Sequence, residues 1–364
     1  MKVTAAVLRS GHGQFTVEEL ELEPPRTGEV LVRMVATGMC HTDLLSRELP
    51  PMFFAGPQVY GHEGSGVVEA LGDGVADLAV GDHVVLSFNS CGTCKACSRH
   101  RLPYCFNFSL YNMSGGRPDG SAAFTDEAGE RVGSHFFGQS SFASHSVVAR
   151  TSVVKVSADH DLVKLGPLGC GIQTGAGAIL NTLAVEAGST VVISGAGALG
   201  LSAVMAAKIA GAEQIIAVDR HASRLDLATK YGATATYSGD VSGLTGKIQE
   251  LTGGGSDYSF DTTGNAAVVR ATVSGLNNIG TQALAGVGFG DLPLHFLSMI
   301  SGRTVTGVME GDSTPNEFIP RLAQLNADGV FPFDELVTTY PLAQINEAEA
   351  SSADGSVIKP VLTF

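Results

Sequence analysis

Basic residues are scarce in this chain: 22 Lys and Arg stand against 36 Asp and Glu, a formal charge of −14. A nucleic acid or an anionic membrane needs a basic face to bind, so the composition argues against both partners. Charged residues make up only 16% of the chain and apolar ones 44%, which sets it apart from disordered proteins. Long apolar runs are also missing. The N-terminal "MKVTAAVLRSGHGQF" carries Lys2 and Arg9 with no apolar stretch behind them, and does not read as a signal peptide. Val191 to Ala207 is uncharged and nearly long enough to span a bilayer, but Gly195, Gly197 and Gly200 interrupt it and Lys208 ends it. No repeat, low-complexity tract or obvious linker is present. A cytoplasmic protein is expected, in which thiols stay reduced and clustered cysteines point to metal before disulfides.

Glycine, by contrast, is abundant at 46 residues, a sign of many tight turns and close backbone approaches. At 364 residues the chain exceeds what one core usually fills, and two domains are expected. The two parts differ in texture. Up to about residue 170, short β-type runs such as "EVLVRMVATG", "GSGVVEAL" and "DHVVLSF" are separated by Gly and Pro, which predicts an antiparallel, barrel-like domain. From residue 172 strands and helices alternate: "TVVISGAG", "ALGLSAVMAAKIAG", "QIIAVD", "SRLDLATKYG", "YSFDTTG", "AAVVRATVSGL" and "TQALAGV". That order predicts a parallel sheet covered on both faces. The alternation stops near "EGDSTPNEF", so one domain is expected to comprise residues 1–171 and 310–364, the other 172–309.

"SGAGALG" supplies Gly195, Gly197, Ala198, Leu199 and Gly200, a GxGxxG between a strand and a helix, and Asp219 ends the next strand. That context is the dinucleotide fingerprint: a tight turn, close approach to pyrophosphate, and a carboxylate for the ribose hydroxyls. A glycine-rich turn without a ligand is the bland alternative. Asp219 favours NAD, because a carboxylate there repels a 2′-phosphate; Arg220 and Arg224 weaken that preference without reversing it.

Four of the six cysteines, Cys91, Cys94, Cys97 and Cys105, are spaced C-x2-C-x2-C-x7-C. The spacing departs from the bacterial ferredoxin run, where the fourth cysteine follows after three residues and precedes proline. It suits a closed tetrahedral zinc that stabilises a loop, with a redox cluster or disulfides as alternatives. Cys40 in "GMCHTD", His62 and Glu63 in "YGHEGSG", and Cys170 in "LGCGIQTG" are unremarkable singly. Together, two Cys and one His could form the open donor set of a catalytic zinc.

These motifs, in this order and at these spacings, resemble the zinc-dependent medium-chain alcohol dehydrogenases over essentially the full chain. "ATGMCHTD", "FFGQSSFASHSV" and "GSVIKPVLTF" are most similar to the aryl-alcohol (benzyl-alcohol) branch. The resemblance implies an α/β protein: a Rossmann doubly wound cofactor domain plus a mainly β, GroES-like catalytic domain. It implies two zinc ions per subunit, NAD, and a homodimer or homotetramer. The reaction implied is reversible oxidation of a primary aromatic or allylic alcohol to its aldehyde. Cys40, His62 and Cys170 become ligands of the catalytic zinc, Glu63 a transient ligand, Asp43 the partner of His62, and Thr42 the hydroxyl that touches the alcohol. Cys91, Cys94, Cys97 and Cys105 become the structural zinc site. Thr174 would support the nicotinamide, whose carboxamide would meet backbone near Ala285 and Val287, and Arg224 falls near the adenosine ribose.

The chain departs from the family pattern at Leu45, where a proton-relay histidine is common. His41 and Lys359 stand where arginines commonly meet the pyrophosphate. Ser87 would lie beside the substrate pocket and leave room for a ring, with Met52, Phe53, Phe54, Phe289 and Phe296 as candidate walls. Two rivals stand beside this reading. One is a formaldehyde–glutathione or polyol dehydrogenase on the same scaffold, the other a non-catalytic dinucleotide-binding relative.

Overall fold

A computed structural model describes residues 1–11, 13–45 and 56–364. The chain folds as two units, one comprising Met1–Cys170 and Thr314–Phe364, the other Gly171–Ser313. Gly171 and residues 310–313 thus belong to the second unit and not to the first, residues 310–313 being held by a contact with the helix Gly171–Gly177. The cause is Gln173: its Nε2 donates to Glu310 Oε2 at 3.1 Å, and its Oε1 accepts from Ser313 Oγ at 3.0 Å.

Among the described residues, the first unit holds a five-stranded and a seven-stranded sheet. The larger runs in the order Val153–Lys155, His83–Leu86, Gly64–Leu71, Glu29–Gly38, Lys359–Thr363, Val337–Pro341, with His145–Ala149 also paired to Glu29–Gly38. All its pairings are antiparallel except Val337–Pro341 with Lys359–Thr363. The C-terminal strand sits in the register Val361 opposite Gly38. That register brings Lys359 to the end of the strand that leads into Cys40, which decides the electrostatics of the site. An apolar cluster including Phe15, Tyr60, Phe124, Phe136, Phe137 and Phe142 fills the space beside these strands.

The second unit carries a six-stranded sheet in the order Ala235–Tyr237, Gln214–Val218, Thr190–Ser194, Ser256–Asp261, Leu276–Leu284, Thr304–Gly307, parallel throughout. Numbered along this unit alone the order is 3-2-1-4-5-6, with the switch point at Thr190–Ser194, where ligands bind beyond the strand C-termini. Val191, Val192, Ile193, Ile215 and Ile216 are buried, as strands covered on both faces require; each such side chain contributes roughly 1.5–3 kcal/mol. The sequence pattern misses the helix Val241–Thr252, because Gly243 and Gly246 break its helical texture. Among the described residues no helix is long and apolar enough to cross a membrane.

Candidate active site and metal centres

The strand Glu29–Gly38 ends one residue before Met39, and Cys40 then opens the short helix His41–Leu44. Asp43 on that helix is fully buried. Its Oδ2 accepts from Cys40 N at 2.9 Å, while its Oδ1 accepts from Gly61 N at 3.1 Å and lies 2.7 Å from His62 Nδ1. One carboxylate therefore fixes both the turn that carries Cys40 and the ring of His62. With Nδ1 committed to Asp43, Nε2 is the ring atom left for a ligand. It is buried, and no hydrogen-bond partner for it occurs among the described residues. Glu63 fits beside it only because position 38 is glycine: a Cβ there would stand 2.0 Å from Glu63 Oε2. The turn Gly166–Gly169 delivers Cys170.

One donor atom each from Cys40, His62, Glu63 and Cys170 lies within 4.8 Å of the others. The charges are arranged for a cation. The Cys170 thiol, with help from His62 and Lys359, lowers the Cys40 thiol well below its ordinary value against the effect of burial. Burial opposes protonation of His62, but the Asp43 carboxylate and the Cys40 sulfur together raise the imidazole well above its ordinary value. Lys359, expected at a pyrophosphate, is buried; its Nζ lies 2.5 Å from Glu63 Oε2 and 3.1 Å from Met39 O. Burial pulls Lys359 down, and the anionic Glu63 and Cys40 more than restore it. Two thiols, an imidazole with its distal nitrogen tied to a carboxylate, and a nearby glutamate form a donor set that fits a catalytic zinc.

The second cluster is Cys91, Cys94, Cys97 and Cys105, again with all sulfurs within 4.8 Å of one another. Cys97 Sγ lies 3.9 Å from Cys91 Sγ and 3.5 Å from Cys94 Sγ. A tetrahedron with arms of about 2.3 Å has edges near 3.8 Å, so the spacing fits four thiolates around one zinc. All four thiols are free of disulfide bonds. Backbone N–H groups of Cys91, Cys94 and Phe106 donate to Cys105, Cys91 and Cys94 sulfur at 3.3–3.4 Å. Hydrogen bonds from the backbone N–H groups of Thr93 and Cys94 hold Cys91 at about 5, whereas burial pushes Cys97 up to about 12. Four thiolates this close repel one another, and a divalent cation is what makes them compatible.

In the second unit the helix Ala198–Ala210 follows the strand Thr190–Ser194 through Gly195 and Gly197. A Cβ on Gly200 would lie 1.7 Å from Gly195 O, so this glycine sets helix-to-strand packing. A Cβ on Gly197 would meet nothing within 4 Å; it faces open space ahead of the helix N-terminus, beside Ala198 and Leu199. The division of labour matches a turn that lets phosphate approach backbone. Asp219 accepts from Ala196 N at 2.7 Å and His221 N at 2.8 Å, which aims its carboxylate across the same turn. Arg220 is exposed, with its Nε donating to His221 Nε2 at 3.1 Å. Arg224 Nε is buried, with no partner among the described residues. Thr174 is buried on the helix Gly171–Gly177. Ala285 donates to Asp261 O at 2.9 Å, and Val287 is exposed.

A family profile described as alcohol dehydrogenase GroES-like domain matches residues 26–158, and one described as zinc-binding dehydrogenase matches 198–327. The sequence is 42% identical to geraniol dehydrogenase of Castellaniella defragrans, covering 99% of this chain and 97% of that protein. The chain belongs to the zinc-dependent medium-chain alcohol dehydrogenases. Alcohol dehydrogenase class-3 of Myxine glutinosa is 36% identical, covering 98% of this chain and 96% of that one. Benzyl alcohol dehydrogenase from Acinetobacter calcoaceticus has a solved structure that superposes with a TM-score of 0.95 at 41% identity, covering 100% and 99% of the two chains. An alcohol dehydrogenase zinc-binding domain protein from Burkholderia ambifaria superposes at 0.96 with 47% identity, with the same coverage. The two units are accordingly the family's GroES-like and Rossmann domains.

The dehydrogenase's remaining candidates fall in different places. Thr42 lies beside Cys40, with its Oγ1 3.8 Å from the Cys40 sulfur, and His41 is exposed on the same turn. Leu45 is buried. Ser87 is buried, and its hydroxyl donates to Gly169 O at 2.7 Å. Phe289 and Phe296 are exposed on the Rossmann domain, at 66% and 78% of their full surface. Met52, Phe53 and Phe54 lie outside the described residues. Sequence reasoning missed Gln139, whose amide reaches the backbone of His62, and Phe137, whose ring lies 4.7 Å from the His62 imidazole. No spacing signal marks either one.

Proposed function

We propose that this enzyme interconverts a primary allylic or aromatic alcohol and its aldehyde with NAD. The observation that carries the reading is the buried cluster of Cys40, His62, Glu63 and Cys170, with His62 locked by Asp43. Bound there, zinc supplies Lewis-acid polarisation of the alcohol oxygen, and NAD supplies the hydride acceptor. Every other role falls to the chain. Asp43 keeps His62 in the tautomer that offers Nε2. Thr42 Oγ1 would take the alcohol proton while releasing its own hydroxyl proton toward the cofactor ribose, so the hydroxyl acts as a relay. Lys359 offsets the negative charge of Cys40 and Glu63. Asp219 selects NAD by repelling a 2′-phosphate. The cysteine lobe carries the second zinc and stabilises its loop.

The substrate class rests on two relatives at similar identity, a geraniol dehydrogenase and a benzyl alcohol dehydrogenase. Both named alcohols carry the carbinol next to a π-system, and an apolar pocket separates such substrates from ethanol by buried area. The same reading makes the enzyme cytoplasmic and a homodimer or homotetramer. A screen of NADH formation tests the substrate: kcat/KM for benzyl alcohol or geraniol should exceed that for ethanol by at least about a hundredfold. Equal turnover of ethanol overturns the substrate class and leaves the zinc dehydrogenase intact. Glutathione plus formaldehyde and a panel of polyols complete the screen, and preferential use of either supports the rival on the same scaffold.

A further inference from the structure

His62 and Glu63 lie on one backbone segment and Cys170 on another, far away in the chain, yet the cluster needs them in register. Two side chains in series, Gln139 and Ser87, join the two. Gln139 is fully buried and commits both ends of its amide to backbone here. Its Oε1 accepts from Gly64 N at 3.1 Å, and its Nε2 donates to His62 O at 2.9 Å and to Ser87 O at 3.2 Å. Gly64 N and His62 O flank Glu63, so the amide clips that residue as a neighbouring strand would. Ser87 carries the tie onward, because its Oγ donates to Gly169 O at 2.7 Å and residue 169 precedes Cys170.

The segment that holds Gln139 is under strain. His135, Phe137, Gly138 and Ser140 have φ of 58°, 51°, 69° and 56°. Three of these are not glycine, and each such residue costs on the order of 1–3 kcal/mol unless its surroundings over-determine it. The surroundings do. His135 Nε2 lies 3.1 Å from Glu29 Oε1, Ser140 Oγ donates to Val59 O at 2.7 Å, and Ser141 and Phe142 N donate to Gly61 and Tyr60 O at 2.9 Å. The Phe137 ring lies against His62 with a tilt of 32°. A strained loop locked at both ends holds one amide between the backbone of His62 and Gly64 and that of Ser87, whose hydroxyl continues to the residue before Cys170.

We propose that Gln139 is a positioning residue for the metal cluster, fixing His62 and Glu63 relative to Cys170 through Ser87. The proposal rests on the catalytic reading of that cluster. Its alternative is an amide that merely satisfies buried carbonyls, which would affect folding stability and nothing else.

Gln139→Leu, Gln139→Glu and Ser87→Ala, made in the full-length zinc-loaded enzyme, separate the two. Leucine keeps most of the volume and removes all three bonds. Glutamate keeps the shape and turns an oxygen toward two carbonyls. Ser87→Ala removes the hydroxyl that reaches Gly169 O, leaves the Gln139 amide in place, and serves as the test should the Gln139 variants fail to fold. Zinc release to dipicolinate, the visible spectrum after Co²⁺ replaces the catalytic zinc, and kcat and KM are measured. For the Gln139 variants we expect catalytic-site release to quicken by about tenfold or more. Release from the cysteine lobe should not change. The Co²⁺ spectrum should shift, and kcat should fall while KM for NAD stays within about twofold. Ser87→Ala should move the same readouts in the same direction by less. Unchanged release and spectra in the variants that fold, with only thermal stability lowered, overturn the proposal. A wild-type enzyme that holds a single zinc per chain overturns instead the reading beneath it.

Discussion

Asp43 Oδ1 lies 2.7 Å from His62 Nδ1, and neither side chain reaches solvent. The same carboxylate accepts from Cys40 N and Gly61 N, so its charge is compensated on every side. Asp43→Asn should preserve the fold and weaken the metal site. An asparagine keeps one acceptor oxygen for the ring and for Gly61, but turns an N–H₂ toward the Cys40 N–H. Retention of the catalytic zinc during dialysis against a graded chelator should drop by about ten- to a hundredfold. A variant that keeps its zinc as the parent does would show that the carboxylate is only a packing element.

The two cysteine clusters should respond differently to loss of a thiolate. Cys97 is buried at the centre of its lobe, within 3.9 Å of two other sulfurs. Cys97→Ser should lower the melting temperature and the soluble yield, since binding free energy at a closed zinc site is folding free energy. Cys40→Ser should leave a folded, NADH-binding protein with negligible turnover. Zinc analysis should give about two ions per chain in the parent and about one in Cys40→Ser. A stable, fully active Cys97→Ser enzyme would sink the division of roles.

Acid stability should depend on Glu29. This carboxylate is buried among His135 Nε2 at 3.1 Å, Arg117 Nη2 at 3.0 Å and Arg26 N at 2.9 Å. Burial alone would raise its pKa, but the hydrogen bonds from His135 and Arg117 bring it down to about 2. A carboxylate lowered by folding stabilises the protein above its unfolded pKa, near 4.5, and that contribution is lost as pH falls toward 2. At neutral pH the contribution is on the order of 3 kcal/mol. Chemical denaturation of the parent and Glu29→Gln should therefore differ most at pH 7, where the variant leaves Arg117 buried and short of its partner. The gap should narrow between pH 4.5 and 2. A gap that does not change with pH would show that the effect is packing.

The Rossmann half was legible because fully buried parallel strands read as apolar runs, each followed by an amphipathic or apolar helix. "TVVIS" and "QIIAV" stand in the sheet where the alternation put them. The strand Ala235–Tyr237, three residues long, was not legible, since so short a run carries no period. In the GroES-like half runs such as "EVLVRMVATG" and "GSGVVEAL" could be read as strands, Lys2–Leu8 and Phe15–Leu22 were not, and no pairing could be read. Nothing local tells "IKPVLTF" to lie against residues 36–38 and bring Lys359 to Glu63. The cysteine lobe was visible in one stretch of sequence. Cys40, His62 and Cys170 are scattered, so residue type offered them only as a possible donor set and the family's motifs gave them their roles. Gln139 lay inside the stretch "FFGQSSFASHSV" but carried no readable role, because its three partners lie 52 to 77 residues away and are backbone atoms, which no residue type encodes.

The glycines of the dinucleotide turn should separate folding from cofactor binding. An added Cβ at Gly200 would stand 1.7 Å from Gly195 O, backbone that cannot move without shifting the helix Ala198–Ala210 off its strand. Gly200→Ala should therefore melt well below the parent or fail to fold. Gly197 is different. Its φ of −81° and ψ of −165° suit alanine, and the new methyl would meet nothing within 4 Å. The loss of a glycine N-cap should cost no more than about 1 kcal/mol. If the open space ahead of Gly197 is where pyrophosphate approaches the backbone, that methyl stands in its way. Gly197→Ala should then bind NADH about tenfold or more weakly while melting close to the parent, and its KM for NAD should rise with little change in kcat. Thermal melts and a fluorescence titration with NADH read the two effects separately. Equal NADH affinity in Gly197→Ala and the parent would detach this turn from the cofactor and leave Gly197 with the role of a helix cap.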